Sequence, residues 1–79
     1  MNDASSVTLN EIFCAVFELQ VGSDLTQLRQ GVTEQWDSLT HVALVTGIES
    51  EFGITLDTGD QLEMTSYEAI RGLLERRGL

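Results

Sequence analysis

The sequence predicts an all-α domain, a four-helix bundle of three main helices and one short one. Three observations carry that expectation. Apolar residues recur at three- and four-residue intervals in separate stretches, no segment sustains a period-two alternation, and no proline interrupts the chain. Glycines do the punctuating instead. Gly22, Gly31, Gly53, Gly59 and Gly78 fall mostly between the periodic stretches.

The first helix is expected over Val7 to Leu19. Turning each residue by about 100° places Leu9, Ile12, Phe13, Val16, Phe17 and Leu19 on one arc, with Glu11 and Glu18 opposite. Cys14 falls toward the acidic side of this helix, where a half-covered thiol with no cation nearby is expected to be unreactive. Gln20 to Gln35 has no sustained period and reads as a long loop, of the kind that is functional or pinned down. Leu25, Leu28 and Val32 are the expected pins, with a short helical turn around Leu25 to Arg29.

The second helix is expected from Ser38 to Phe52. Leu44, Val45, Ile48 and Phe52 share one face, Val42 lies on its flank, and Gly53 is the stop. One short turn fits Thr58 to Met64, with Leu56 and Leu62 contributing to the core. The last helix opens at Thr65-Ser66-Tyr67-Glu68, a capping-box pattern in which Thr65 and Glu68 satisfy free backbone N–H groups. Tyr67, Ile70, Leu73 and Leu74 form its stripe, and Arg76 and Arg77 suit the negative end of the helix dipole. The expected core is Ile12, Phe13, Val16, Phe17, Val45, Ile48, Phe52, Ile70, Leu73 and Leu74.

At 79 residues and 42% hydrophobic, the chain is one domain spanning residues 1–79. Thirteen acidic residues against four basic ones, all Arg, give a net charge of −9. That balance argues against nucleic acid, whose phosphates need clustered Lys and Arg, and against an anionic membrane face. Basic protein surfaces are the natural partners. The single Cys14 has no disulfide partner, and no Cys/His set suits zinc, so no metal is expected. Met1 to Ser6 is polar with no basic start, and no apolar run approaches the ~18 residues of a membrane span. The expectation is a cytoplasmic monomer.

The sharpest local feature is Trp36-Asp37-Ser38-Leu39, where the long loop meets the second helix. Either Asp37 or Ser38 suits the N-cap. If Asp37 caps, the Ser38 hydroxyl is free at the positive end of a helix, where backbone N–H groups and the dipole favour a phosphate ester. Leu39 lies opposite Val45 and Ile48 on the helical wheel, off the core stripe. Ala43, Thr46 and Ser50 continue an uncharged strip flanked by Glu49 and Glu51, which reads as a docking face. His41 stands one turn beyond Ser38, but a Ser–His nucleophilic pair here has no orienting acid and no Gly-x-Ser-x-Gly elbow. Asp57, Asp60 and Glu63 lack calcium-loop spacing and read as a solvated face.

Joined to the helix behind it, with its Val42-x-x-Val45-x-x-Ile48-Glu49-x-Glu51-Phe52-Gly53 pattern, Asp37-Ser38-Leu39 closely resembles acyl carrier proteins. The likeness covers nearly the whole chain: an acidic domain of the right size, with a long first loop and a four-helix layout. It implies that Ser38 is the attachment site for 4′-phosphopantetheine, with Asp37 and Leu39 beside it, added by a phosphopantetheinyl transferase using coenzyme A. The arm's thiol holds acyl or aminoacyl groups as thioesters for loading and transferring enzymes, while the domain itself catalyses nothing. The helix that begins at Ser38 is then the main recognition element, with Leu39, Ala43, Thr46, Glu49 and Ser50 as docking residues.

Three departures from the commonest pattern favour a specialised pathway over housekeeping fatty-acid synthesis. Glu34-Gln35-Trp36 replaces the usual Leu-Gly, Ala43 and Ser50 stand where acids are frequent, and Asp57 follows Leu56 in place of a proline. Polyketide, aminoacyl and surface-polymer assembly systems are all open. Two other readings compete with the carrier. One is an acidic helical interaction module with Ser38 as a structural N-cap; the other is a small hydrolase using Ser38 and His41.

Overall fold

A computed structural model describes residues 1–79, and its elements follow in order. Helix α1 spans Asp3–Phe17, a single 3₁₀ turn covers Leu25–Gln27, and α2 spans Ser38–Phe52. Helix α3 spans Thr58–Glu63 and α4 spans Tyr67–Arg76. There is no strand, and no helix is long and apolar enough to cross a membrane. The all-α expectation of three main helices and a short one is what the chain forms.

Helix α1 begins well before the expected Val7. The Asn2 side chain accepts from the Ser5 N–H at 2.8 Å and caps the helix, and the Asp3 carboxylate favours its positive end. The helix ends at Phe17 rather than Leu19. Glu18 turns into the left-handed region at φ 56°, and the Leu19 N–H returns to the Cys14 carbonyl at 2.9 Å. Helix α2 matches its expected span. Gly53, at φ 66°, supplies the left-handed stop that costs a side chain-bearing residue strain.

The expected capping box is corrected. Ser66, not Thr65, caps α4, its hydroxyl accepting from the Ala69 N–H at 3.1 Å. The reciprocal capping box sits instead on α3. There the Asp57 carboxylate accepts from the Asp60 N–H at 2.7 Å and the Asp60 carboxylate from the Asp57 N–H at 3.2 Å. Asp60 also pairs with Arg77, and Glu63 with Arg76 at 2.5 Å, so these acids hold α3 to the end of α4 rather than forming a merely solvated face.

The core gathers around Phe13. Phe17 stacks on it at 5.9 Å between ring centroids, while Trp36 at 5.9 Å and Tyr67 at 5.3 Å meet it edge-on. The Tyr67 hydroxyl finds its partner in Asn10 Oδ1 at 2.5 Å. Leu9, Leu44 and Met64 join the expected core and Leu56 is buried as expected, whereas Val16 and Phe52 are only half-buried at its margin. Helices α1 and α2 approach closely at Gly47, where an added Cβ would stand 3.1 Å from Ile12 Cγ2.

Two expected core residues are exposed instead. Leu25 and Leu28 pin the long loop, but Val32 faces solvent. The loop's backbone docks on the entry to α4, with the Gln30 N–H donating to the Thr65 carbonyl at 2.9 Å. Thr33 Oγ1 then accepts from the Arg29 N–H at 2.8 Å, and the tight turn between them throws Val32 outward. Leu62 is exposed because the short α3 turns Gln61 and the following Met64 toward the bundle.

Candidate functional site

The entry to α2 is built from the inside out. Trp36 is buried at 2% exposure, packed edge-on against Phe13 and Phe17, and it fixes where the loop ends. The next residue, Asp37, is extended (φ −91°, ψ −174°), and its carboxylate accepts from the Thr40 N–H at 2.9 Å. Asp37 therefore takes the N-cap role. Ser38, the first residue of the helix, is exposed and its hydroxyl has no protein partner. With the Thr40 N–H taken by Asp37, the Ser38 and Leu39 N–H groups remain at the positive end of the helix, where an anion is favoured.

The Thr40 N–H, and behind it the Thr40 hydroxyl, hold the Asp37 carboxyl below the usual aspartate value of 3.8. The Thr26 hydroxyl and N–H do the same for Asp24 at the start of the 3₁₀ turn. Since the folded chain depresses both values, these caps contribute fully above the unfolded value of 3.8 and are lost as pH falls below it. Asp37→Ala is expected to lower Tm by a few degrees at pH 7 and by less at pH 3, as read by circular dichroism. An equal loss at both pH values would contradict the capping role.

Beyond Ser38, Leu39 is 81% exposed, with Ala43, Thr46 and Ser50 exposed behind it. Val42, read from sequence as flanking the core face, is 62% exposed and widens the apolar end of this strip. Glu49 is set apart from it. It is half-buried, and its Oε2 accepts from the Leu56 N–H at 2.8 Å, so its carboxylate is committed to the connection between α2 and α3.

His41 is not paired with Ser38. The Trp36 indole N–H donates to His41 Nδ1 at 3.1 Å, and the Gln61 carbonyl lies 3.0 Å from Nε2. An indole N–H only donates and a carbonyl only accepts, so Nδ1 is the lone pair and Nε2 carries the proton. Both ring nitrogens are occupied. Gln61, this histidine's partner, lay outside the sequence reading because nothing local connects residues twenty apart.

The cations are unevenly placed. Arg71, Arg76 and Arg77 lie on or just after α4 and pair with Glu75, Glu63 and Asp60. No carboxylate on α1 or α2 has an Arg partner. The shallow groove nearest Ser38, about 200 Å³, is lined by Val16, Phe17, Glu18, Gln35 and Thr40. A second, about 370 Å³, runs between α1 and α2 beside Gly47, and a third, about 360 Å³, lies between α1 and the long loop at Val21. No group of three or more His, Cys, Asp or Glu side chains is placed to hold a metal. The chain matches no family model, no curated protein and no solved structure.

Proposed function

We propose that this chain is a cytoplasmic carrier protein of the acyl carrier type, with 4′-phosphopantetheine attached through Ser38. The observation that carries the reading is the free hydroxyl of Ser38 at the first position of α2, left unpartnered because Asp37 does the capping. Those residues fit the group. A phosphodiester at Ser38 Oγ has solvent on its outer side and first-turn N–H groups on its inner side.

In attachment, Ser38 Oγ bonds to the phosphorus that bears the pantetheine half of coenzyme A. The P–O–P linkage breaks, 3′,5′-bisphosphoadenosine leaves, and the hydroxyl proton passes to a base of the transferase. When bound, the arm supplies a thiol that holds acyl or aminoacyl groups as thioesters. The chain's own residues position and present it. Asp37 sets the helix entry, Leu39 and Val42 offer an apolar foothold beside the attachment point, and the acids of α1 and α2 that have no Arg partner draw enzymes with basic surfaces.

Leu39→Asp is expected to slow modification by a phosphopantetheinyl transferase at least tenfold. Its helical circular dichroism should be unchanged, because an 81% exposed side chain contributes little to folding. The check is the rate of mass gain on mixing with coenzyme A and the transferase; a rate equal to the parent's removes Leu39 from the docking face.

A further inference from the structure

Resting on the carrier reading of Ser38, we infer that the cargo stays outside the bundle and that Trp36 and His41 keep it there. The carrier is thereby restricted to acyl or aminoacyl groups short or polar enough to need no hydrophobic shelter. Cargo tethered at the start of α2 lies beside the seam between α2 and α3. A chain of hydrogen bonds closes that seam. The Trp36 indole donates to His41 Nδ1, and His41 Nε2–H donates to the Gln61 carbonyl. The Gln61 side-chain amide donates to the Leu56 carbonyl at 3.0 Å, and the Leu56 N–H to Glu49 Oε2. The brace therefore ties the entry of α2, α3, the connection between them and the last turns of α2.

All four bonds are partly buried, and two of them cross from α2, His41 Nε2–H to the Gln61 carbonyl and the Leu56 N–H to Glu49 Oε2, so parting the helices strands the imidazole N–H that the Trp36 indole orients, together with a backbone carbonyl, a backbone N–H and a carboxylate. The space behind the brace is filled as well. Trp36 occupies it against Phe13 and Phe17, and Leu44, Ile48 and Met64 are fully buried. A hydrocarbon chain entering there must displace close-packed side chains as well as break the brace. No apolar groove opens beside Ser38. The groove nearest it carries Glu18, Gln35 and Thr40, the α1–α2 groove carries Glu11 and Glu51 on the far half of α2, and the more apolar groove of Val7, Cys14, Val21 and Leu25 lies between α1 and the long loop with no residue of α2 in its lining.

The test loads the full chain from acetyl coenzyme A and, separately, from dodecanoyl coenzyme A, using a transferase of broad specificity. Intact mass verifies each product. Tm and the emission of Trp36, the only tryptophan, are then compared. Both are expected to be the same for the two cargoes. Trp36→Phe removes the indole donor and some of the filling volume while keeping an aromatic ring in place. In that variant the dodecanoyl form is expected to melt several degrees above the acetyl form.

A dodecanoyl-dependent rise in Tm or shift in emission in the parent protein overturns the inference and leaves the carrier reading standing, since the added mass proves loading. A Trp36→Phe protein indifferent to chain length overturns the role given to the brace. Failure of both cargoes to add mass at Ser38 defeats the carrier reading and the inference with it.

Discussion

Phe13→Ala is expected to cost about 3–5 kcal/mol, read as a shift in the urea or guanidinium unfolding midpoint. Phe13 is fully buried and is the one ring that touches Phe17, Trp36 and Tyr67 together. Truncation leaves a cavity bordered by three aromatic groups, which are too rigid to collapse into it. Small domains have roughly 5–15 kcal/mol in all, so the variant should be partly unfolded at 37 °C. Val16→Ala, on the same helix but only half-buried, should cost well under half as much. Equal midpoints for the two variants would contradict a core centred on Phe13.

Ser38→Ala is expected to remove modification completely while leaving Tm within experimental error of the parent. The two halves of this result separate the competing roles of the residue. A serine that caps a helix typically costs about 1 kcal/mol on truncation, a shift of several degrees in a domain of this size. Here the cap is Asp37, and the Ser38 hydroxyl holds nothing within the protein. A Tm drop matching that of Asp37→Ala would make Ser38 a structural residue. A mass gain surviving in Ser38→Ala would move the attachment elsewhere.

The parts of this site that were legible in the sequence are those fixed by short-range rules. The span of α2, its Gly53 stop and the freedom of Ser38 beside a capping Asp37 follow from neighbours within four residues. The exposure of Leu39 follows from the same periodicity that buries Val45 and Ile48. What escaped depends on distant partners. Val32 looked like a pin because it is apolar in a loop, but the docking of Gln30 on Thr65, thirty-five residues away in the chain, turns it outward. Glu49 shared the docking strip on the helical wheel, yet the returning chain at Leu56 claims its carboxylate. The early start of α1 was hidden because Ala4, Ser5 and Ser6 carry no apolar period, and only the Asn2 cap marks it.

Capping boxes show the same limit from another side. Thr65 and Glu68 have the right spacing, as do Asp57 and Asp60, and the sequence signature favours the first pair. The chain uses the second, because Thr65 is drawn into a backbone contact with the long loop and leaves the cap to Ser66. Trp36 is the largest gain from the structure. Its burial anchors the end of the long loop just before Ser38, and its indole N–H holds His41 Nδ1, so the imidazole is turned to Trp36 and Gln61.

The most direct measurement is peptide mass mapping of the parent chain after incubation with coenzyme A and a phosphopantetheinyl transferase. With no lysine present, trypsin cuts only after arginine, and cleavage at Arg29 and Arg71 releases residues 30–71 as one piece containing Ser38. The carrier account predicts one added phosphopantetheine on that peptide, with fragmentation placing it on Ser38. An unmodified peptide, or the group on any other hydroxyl, would contradict it.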